Sequence, residues 1–201
     1  LAVLVLRHLW SYYMEAPWTR DAHVTADIIQ VAPDVSGLVA QVLVADNQAI
    51  KRGDVLFVID QQRFRIALQQ ARAILSERAA TVAQLRREVA RDRQLQDLVA
   101  TEEAEMRQTR LQSAQASLDT AQAAVDLAAL ELERTNVRSP RDGRVNDRTV
   151  RLGDYVSAGK PVLALLDTGS LRIDGDFEET RLQGVQPGQQ GDIRLMGEAE
   201  P

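Results

Sequence analysis

Between Gln61 and Arg134 the chain contains neither proline nor glycine and is rich in Ala, Leu, Gln, Arg and Glu. Those are strong helix formers. The second half of this run places apolar or small residues at Leu111, Ala114, Leu118, Ala121, Val125, Ala128 and Leu132, with gaps alternating between three and four. That is a heptad seam. The first half carries a rougher seam at Phe64, Leu68, Ala71, Leu75, Val82, Leu85 and Val89, interrupted by Arg78 and Asp92. Two helices joined by a short turn, packed as an antiparallel coiled-coil hairpin, satisfy both seams at once. Alanine at 114, 121 and 128 lets the partner helix approach closely, and larger residues fill the layers between. Each arm of roughly 35 residues would be ~50 Å long at about 1.5 Å per residue. Arms of that length project from whatever they are rooted in.

What flanks the run is strand-like. Residues 21–60 hold Val24 to Val31, then the turn signal Pro33-Asp-Val-Ser-Gly37, then Leu38 to Val44 and Val55 to Ile59. Residues 135–168 repeat the pattern: Pro140-Arg-Asp-Gly143, Gly153-Asp-Tyr-Val156, and Gly159 leading into Val162 to Asp167. Gly37 and Gly53 are 16 apart, and so are Gly143 and Gly159. Asn47 aligns with Gly153, Ile50 with Val156 and Leu56 with Val162. This is one small β-unit written twice and split by the hairpin. Neither half has enough strands to bury a core alone, so the two must pack together.

The ends read differently. Leu1 to Leu6 is apolar, and Trp10, Tyr12, Tyr13 and Trp18 follow closely. Six apolar residues cannot span a bilayer, which needs roughly 20. Aromatic clusters of this kind sit at membrane interfaces, so residues 1–20 are expected to be the remnant of a membrane anchor. Residues 169–201 are expected to begin a further β-domain that is incomplete. Leu171 to Phe177 is strand-like, Glu178 to Gln183 a short helix, and a further strand starts at Asp192.

Composition removes several function classes. A net charge of −5 argues against general nucleic-acid binding. The absence of cysteine excludes disulfides, thiolate metal sites and thiol catalysis. His8 and His23 are isolated, and no Ser-His-Asp set, HExxH or P-loop is present. Glu178 and Glu179 fit a helix start better than an acid/base pair. We expect no enzyme, no cofactor and no bound metal.

A split lipoyl-like unit with a helical hairpin between its halves, followed by Phe177-Glu-Glu-Thr180 and Pro187-Gly-Gln189, resembles the periplasmic adaptor proteins, or membrane fusion proteins of the HlyD type. Pro17-Trp-Thr-Arg-Asp21, Ala32 to Gly37 and Leu132-Glu-Arg-Thr135 look most like its aromatic carboxylic acid efflux (AaeA-type) adaptors, with EmrA-type multidrug adaptors second. The resemblance implies a mixed α and β fold: a lipoyl-like β-sandwich split by an antiparallel α-helical coiled-coil hairpin, then the start of a β-barrel domain. It implies a single N-terminal span in the inner membrane with a periplasmic body, and a trimer or hexamer in the assembly. It implies an inner-membrane transporter and an outer-membrane channel of the TolC type as partners, and export of small molecules such as aromatic acids or drugs. The competing readings are a type I protein-secretion adaptor and a structural coiled-coil protein with no transport role.

The resemblance also points to residues. Adaptors often carry an Arg, a Leu and a Ser around the hairpin tip, where they engage the channel. Arg91 and Leu95 match the first two here, and Thr101 stands in the Ser position. Thr101 equally suits an N-cap for the second helix, with Glu102 and Glu103 in its first turn. Lipoyl carriers bear a modified lysine in the turn joining the halves. Here the hairpin replaces that turn, and the chain's two lysines, Lys51 and Lys160, lie inside the halves. A swinging-arm carrier has no attachment point. Gly37, Gly53, Gly143 and Gly159 are read as turn residues needing positive φ or a missing side chain.

Overall fold

The computed structural model describes residues 2–10, 18–94, 101–179, 182 and 185–193. The chain divides into two compact units, one formed by residues 28–169 and the other by the two terminal segments.

The larger unit is a β-sandwich carrying a helical hairpin. Its strands are β2 (Ile28–Val31), β3 (Gly37–Val42), β4 (Ala49–Ile50), β5 (Val55–Ile59), β6 (Asn136–Arg138), β7 (Gly143–Arg148), β8 (Tyr155–Val156) and β9 (Leu163–Asp167). Helices α2 (Gln62–Gln94) and α3 (Thr101–Arg134) fall between β5 and β6. The strands form two four-stranded antiparallel sheets, β2-β9-β7-β4 and β6-β5-β3-β8. Each sheet therefore takes two strands from each half of the repeat. Exchanging β2 with β6, β9 with β5, β7 with β3 and β4 with β8 turns one sheet into the other.

The pseudo-twofold extends to single hydrogen bonds. The N–H of Asn47 donates to the Val145 carbonyl at 2.8 Å, and the N–H of Val145 to the Gln48 carbonyl at 3.0 Å. Their mates 106 positions away repeat this: Gly153 to Val39 at 2.9 Å, and Val39 to Asp154 at 2.8 Å. Val31, Val39, Ile50, Leu56, Phe57, Ile59, Val145, Val156, Leu163 and Leu165 fill the core between the sheets, joined by Phe64 of α2. Neither half could enclose that core, because strand exchange places residues of both halves in every layer.

The four repeat glycines divide into two kinds. Gly53 and Gly159 occupy mated turns at φ +91° and +76°, a region only glycine enters without strain. Gly37 and Gly143 have ordinary φ and are there for lack of a side chain. A Cβ on Gly37 would lie 2.6 Å from Ile59 Cγ2, and one on Gly143 would strike the Leu166 carbonyl oxygen.

The smaller unit holds α1 (Ala2–Trp10) and a two-stranded antiparallel ribbon of β1 (Ala22–Thr25) and β10 (Arg172–Gly175). The single strand expected over Val24 to Val31 is thus two strands in two units. The break falls at Asp27. Its N–H donates to Ser170 Oγ at 2.7 Å, and its carboxylate accepts from Arg172 Nη1 at 2.8 Å. That hydrogen bond, with Asp174 close by, raises the Arg172 pKa further above its ordinary value. Among the described residues no helix is long and apolar enough to cross a membrane. Leu1, Tyr12, Tyr13 and half of the expected helix over 178–183 lie outside the described residues, and Asp192 and Ile193 are not in a strand.

The sandwich should outlive its insertion. Replacing residues 67–129 by a short Gly-rich turn keeps Phe64 and Leu132, which pack on the core. The shortened protein is expected to give a dispersed amide NMR spectrum. A collapsed spectrum would mean that the two halves need the hairpin to find each other.

Candidate interaction surface on the helical hairpin

The hairpin is fixed at its root by polar contacts on both arms. Asp60 Oδ1 accepts from the N–H of Gln62 at 2.9 Å, capping α2. Gln61 Nε2 donates to Thr135 Oγ1 at 2.9 Å and to Asn136 Oδ1 at 3.2 Å, tying the start of one arm to the end of the other. Thr135 is fully buried and donates to the Leu132 carbonyl at 2.6 Å. Arg63 Nη2 donates to the Ser36 carbonyl at 2.7 Å, and Arg134 pairs with Asp34 at 3.6 Å. Sequence reasoning passed over Gln61 and Thr135. Their signal was position alone, one at each edge of the helix-forming run.

Along the arms the seam follows the heptads. Phe64, Leu68, Val82, Ala121 and Ala128 are buried. Ala71, Leu75, Leu85, Val89, Leu111, Ala114, Leu118, Val125 and Leu132 are half-buried. Arg78, at a seam position, is exposed. The arms touch through a polar bridge as well, with Arg86 Nη2 donating to Gln115 Oε1 at 2.7 Å.

Of the three tip residues, Arg91 is exposed in the penultimate turn of α2. Thr101 is the first residue of α3, followed by Glu102 and Glu103 in its first turn, which suits the helix dipole. Its side chain is outside the described residues, and so is the whole of Leu95. Arg91 and Thr101 thus come to the same end of the hairpin. Gly37, Gly53, Gly143 and Gly159 stay in the sandwich, away from that end.

Charge divides between the arms. Eight arginines against three acids leave α2 at +5, while seven acids against three arginines leave α3 at −4. Apolar side chains also stand in solvent on both, Ile66 and Ile74 on α2 and Leu127 and Leu130 on α3. A groove of about 710 Å³ runs beside the α2 root, lined by Ala40, Val58, Gln61, Arg65, Ile66 and Gln69 among others. Among the described residues no group of three or more His, Asp or Glu is placed to hold a metal ion.

Residues 27–168 match the family described as RND MFP, barrel-sandwich hybrid domain. The chain belongs to this family. Solved structures agree on the fold. A MacA–MexA chimera carrying the Pseudomonas aeruginosa MexA α-hairpin domain is 22% identical with a TM-score of 0.65, and covers 86% of this chain and 59% of that one. The periplasmic adaptor protein EmrA is 17% identical with a TM-score of 0.55, covering 85% of this chain and 81% of its own. A Bacteroides eggerthii protein is 21% identical with a TM-score of 0.60, covering 79% and 47%. The chain thus spans about half of some proteins it matches. The match is to the RND-type membrane fusion family and does not extend to the HlyD-type and AaeA-type assignments drawn from the residues; the barrel-sandwich hybrid covers the split, strand-exchanged unit described above.

Proposed function

We propose that this chain is the periplasmic adaptor of a tripartite efflux system, coupling an inner-membrane transporter to an outer-membrane channel of the TolC type. The observation that carries this is the rigidly rooted hairpin. A sandwich clamps both arms through Gln61, Thr135, Arg63 and Arg134, then sends two helices of 33 and 34 residues to a distant tip. Such a part transmits position over distance and needs no chemistry of its own. Membership of the RND-type family supports the reading, as does the fold shared with EmrA, which is described as a periplasmic adaptor. The aromatic residues near the N-terminus support anchoring in the inner membrane, with residues 169–201 beginning a β-barrel domain.

The cargo class is small molecules such as aromatic acids or drugs. The charge split between the arms supports a homo-oligomer, a trimer or hexamer, with the basic α2 of one copy beside the acidic α3 of the next.

The tip tests the reading. Arg91 and Leu95 are one helical turn apart in sequence and suit a small interface hot spot. Leu95→Asp is expected to change stability by less than about 0.5 kcal/mol, as for an exposed site. It should nevertheless abolish efflux-dependent growth and crosslinking to the channel, and Arg91→Ala should weaken both. Thr101→Ala should mainly fray α3, at roughly 1 kcal/mol for a lost cap. Normal export by Leu95→Asp would remove the tip as the docking surface. Global unfolding would instead assign Leu95 to the seam and favour a structural coiled coil.

A further inference from the structure

The first-arm seam runs through positions 64, 68, 71, 75, 78, 82, 85 and 89, and seven of those eight residues are apolar. The exception is Arg78. Where it stands, the hairpin does not close: a notch of about 220 Å³ opens between the arms, lined by Arg78, Thr81, Arg110, Ser113, Ala114 and Ser117. One arginine from each arm thus lines the same small concavity. Neither Arg78 nor Arg110 makes a hydrogen bond or ion pair with any described residue. They share this with Arg72, Arg87 and Arg91, whereas Arg63, Arg65, Arg86, Arg107 and Arg134 have partners; what sets Arg78 and Arg110 apart is that they line one notch from opposite arms.

The hydroxyls of the notch are unequal. Thr81 donates to the Glu77 carbonyl and Ser117 to the Ser113 carbonyl, so both protons are spent within their own helices. Ser113 has no such bond and keeps its proton to give. The wall is otherwise small, with Ala114 exposing no bulk. The notch therefore offers donors on two arginines and one serine, and no carboxylate among its lining. Both arginines are exposed, and like charges lining one notch repel less when a counter-charge enters. Guanidinium is the group best shaped to hold an oxyanion by paired N–H donors.

We propose that this notch is a binding site for a small tetrahedral oxyanion, phosphate or sulfate in kind, held by Arg78 and Arg110 from opposite arms with Ser113 completing the donor set. Bound there, the anion fills the gap left in the apolar seam and bridges the arms at mid-length. It would make the stiffness of the hairpin depend on the anions around it.

The test is a thermal melt of the full chain followed by helical circular dichroism, titrating sodium phosphate against sodium chloride at matched ionic strength. A ligand that binds only the folded state raises Tm in a saturable way. We expect a saturating rise of roughly 3 °C beyond the chloride control, on the scale a bound ligand gives a protein this size. Arg78→Gln and Arg110→Gln should each lose that increment, and Arg86→Gln, outside the notch, should keep it. In ¹⁵N spectra the amides of Ser113 and Ser117 should shift over the same phosphate range. A rise equal to that in chloride overturns the proposal. So does a non-saturating rise shared by all four proteins, which is a general salt effect, or loss of the increment in Arg86→Gln as well.

Discussion

Gly143→Ala is expected to destabilise the protein by about 3 kcal/mol or more, while Gly37→Ala, its mate across the pseudo-twofold, should cost roughly 1–3 kcal/mol. Both glycines begin equivalent strands, β7 and β3, and both are buried with the same burial pattern after them. The difference lies in what a methyl would meet. At Gly143 it strikes the carbonyl oxygen of Leu166, with the Leu166 carbonyl carbon 3.2 Å away. Leu166 is in β9, paired to both β2 and β7. Its backbone cannot retreat without breaking ladder bonds on one side or the other. At Gly37 the obstacle is the Ile59 Cγ2 methyl at 2.6 Å. That is a side chain, fully buried yet able to shift a rotamer into the core at the cost of local packing. Urea melts of the two variants decide the matter. Equal costs would mean that β9 yields as easily as a side chain, and that the twofold is one of energetics as well as topology.

The same pair shows how far the sequence could be read. The repeat, with glycines 16 apart in each half and a common offset of 106, foretold two halves that need each other. It could not foretell that the halves exchange strands, because strand order is set by which edges meet in space. Nor could spacing separate Gly37 and Gly143 from Gly53 and Gly159. The first pair answers to atoms more than 20 residues away in the sequence, the second to its own φ. The strand over Val24 to Val31 was misread for a similar reason. Its β-branched run looks continuous, but Asp27 takes partners from residues 170–172 and the ladder changes partner there. The hairpin was legible almost residue by residue, since a heptad seam is a local, periodic signal. The tip was the least legible, because Arg91, Leu95 and Thr101 were placed by resemblance and not by a periodic signal.

Ala121→Glu is the sharpest test of the seam. Ala121 is buried between the arms at 6% exposure, flanked one heptad on by Ala128 at 8%. Leucines on α2 at 68 and 75 are buried or half-buried in the same seam. A glutamate there must either lose its water with no partner in place or push the helices apart. The expected cost is about 1–4 kcal/mol, from burial of polarity and overpacking. Ala124→Glu makes the same chemical change on the exposed face of the same turn, next to Thr120 and Ala128 rather than an acid at i±4. It should cost less than about 0.5 kcal/mol. The penalty also has a ceiling. The arms pack on one another and, at the α3 root, on β6, so the hairpin can open locally while the sandwich stays folded. Ala121→Glu should therefore lower the helical circular dichroism transition below that of the sandwich. Equal helical midpoints for the two glutamate variants would take Ala121 out of the seam and the antiparallel register with it.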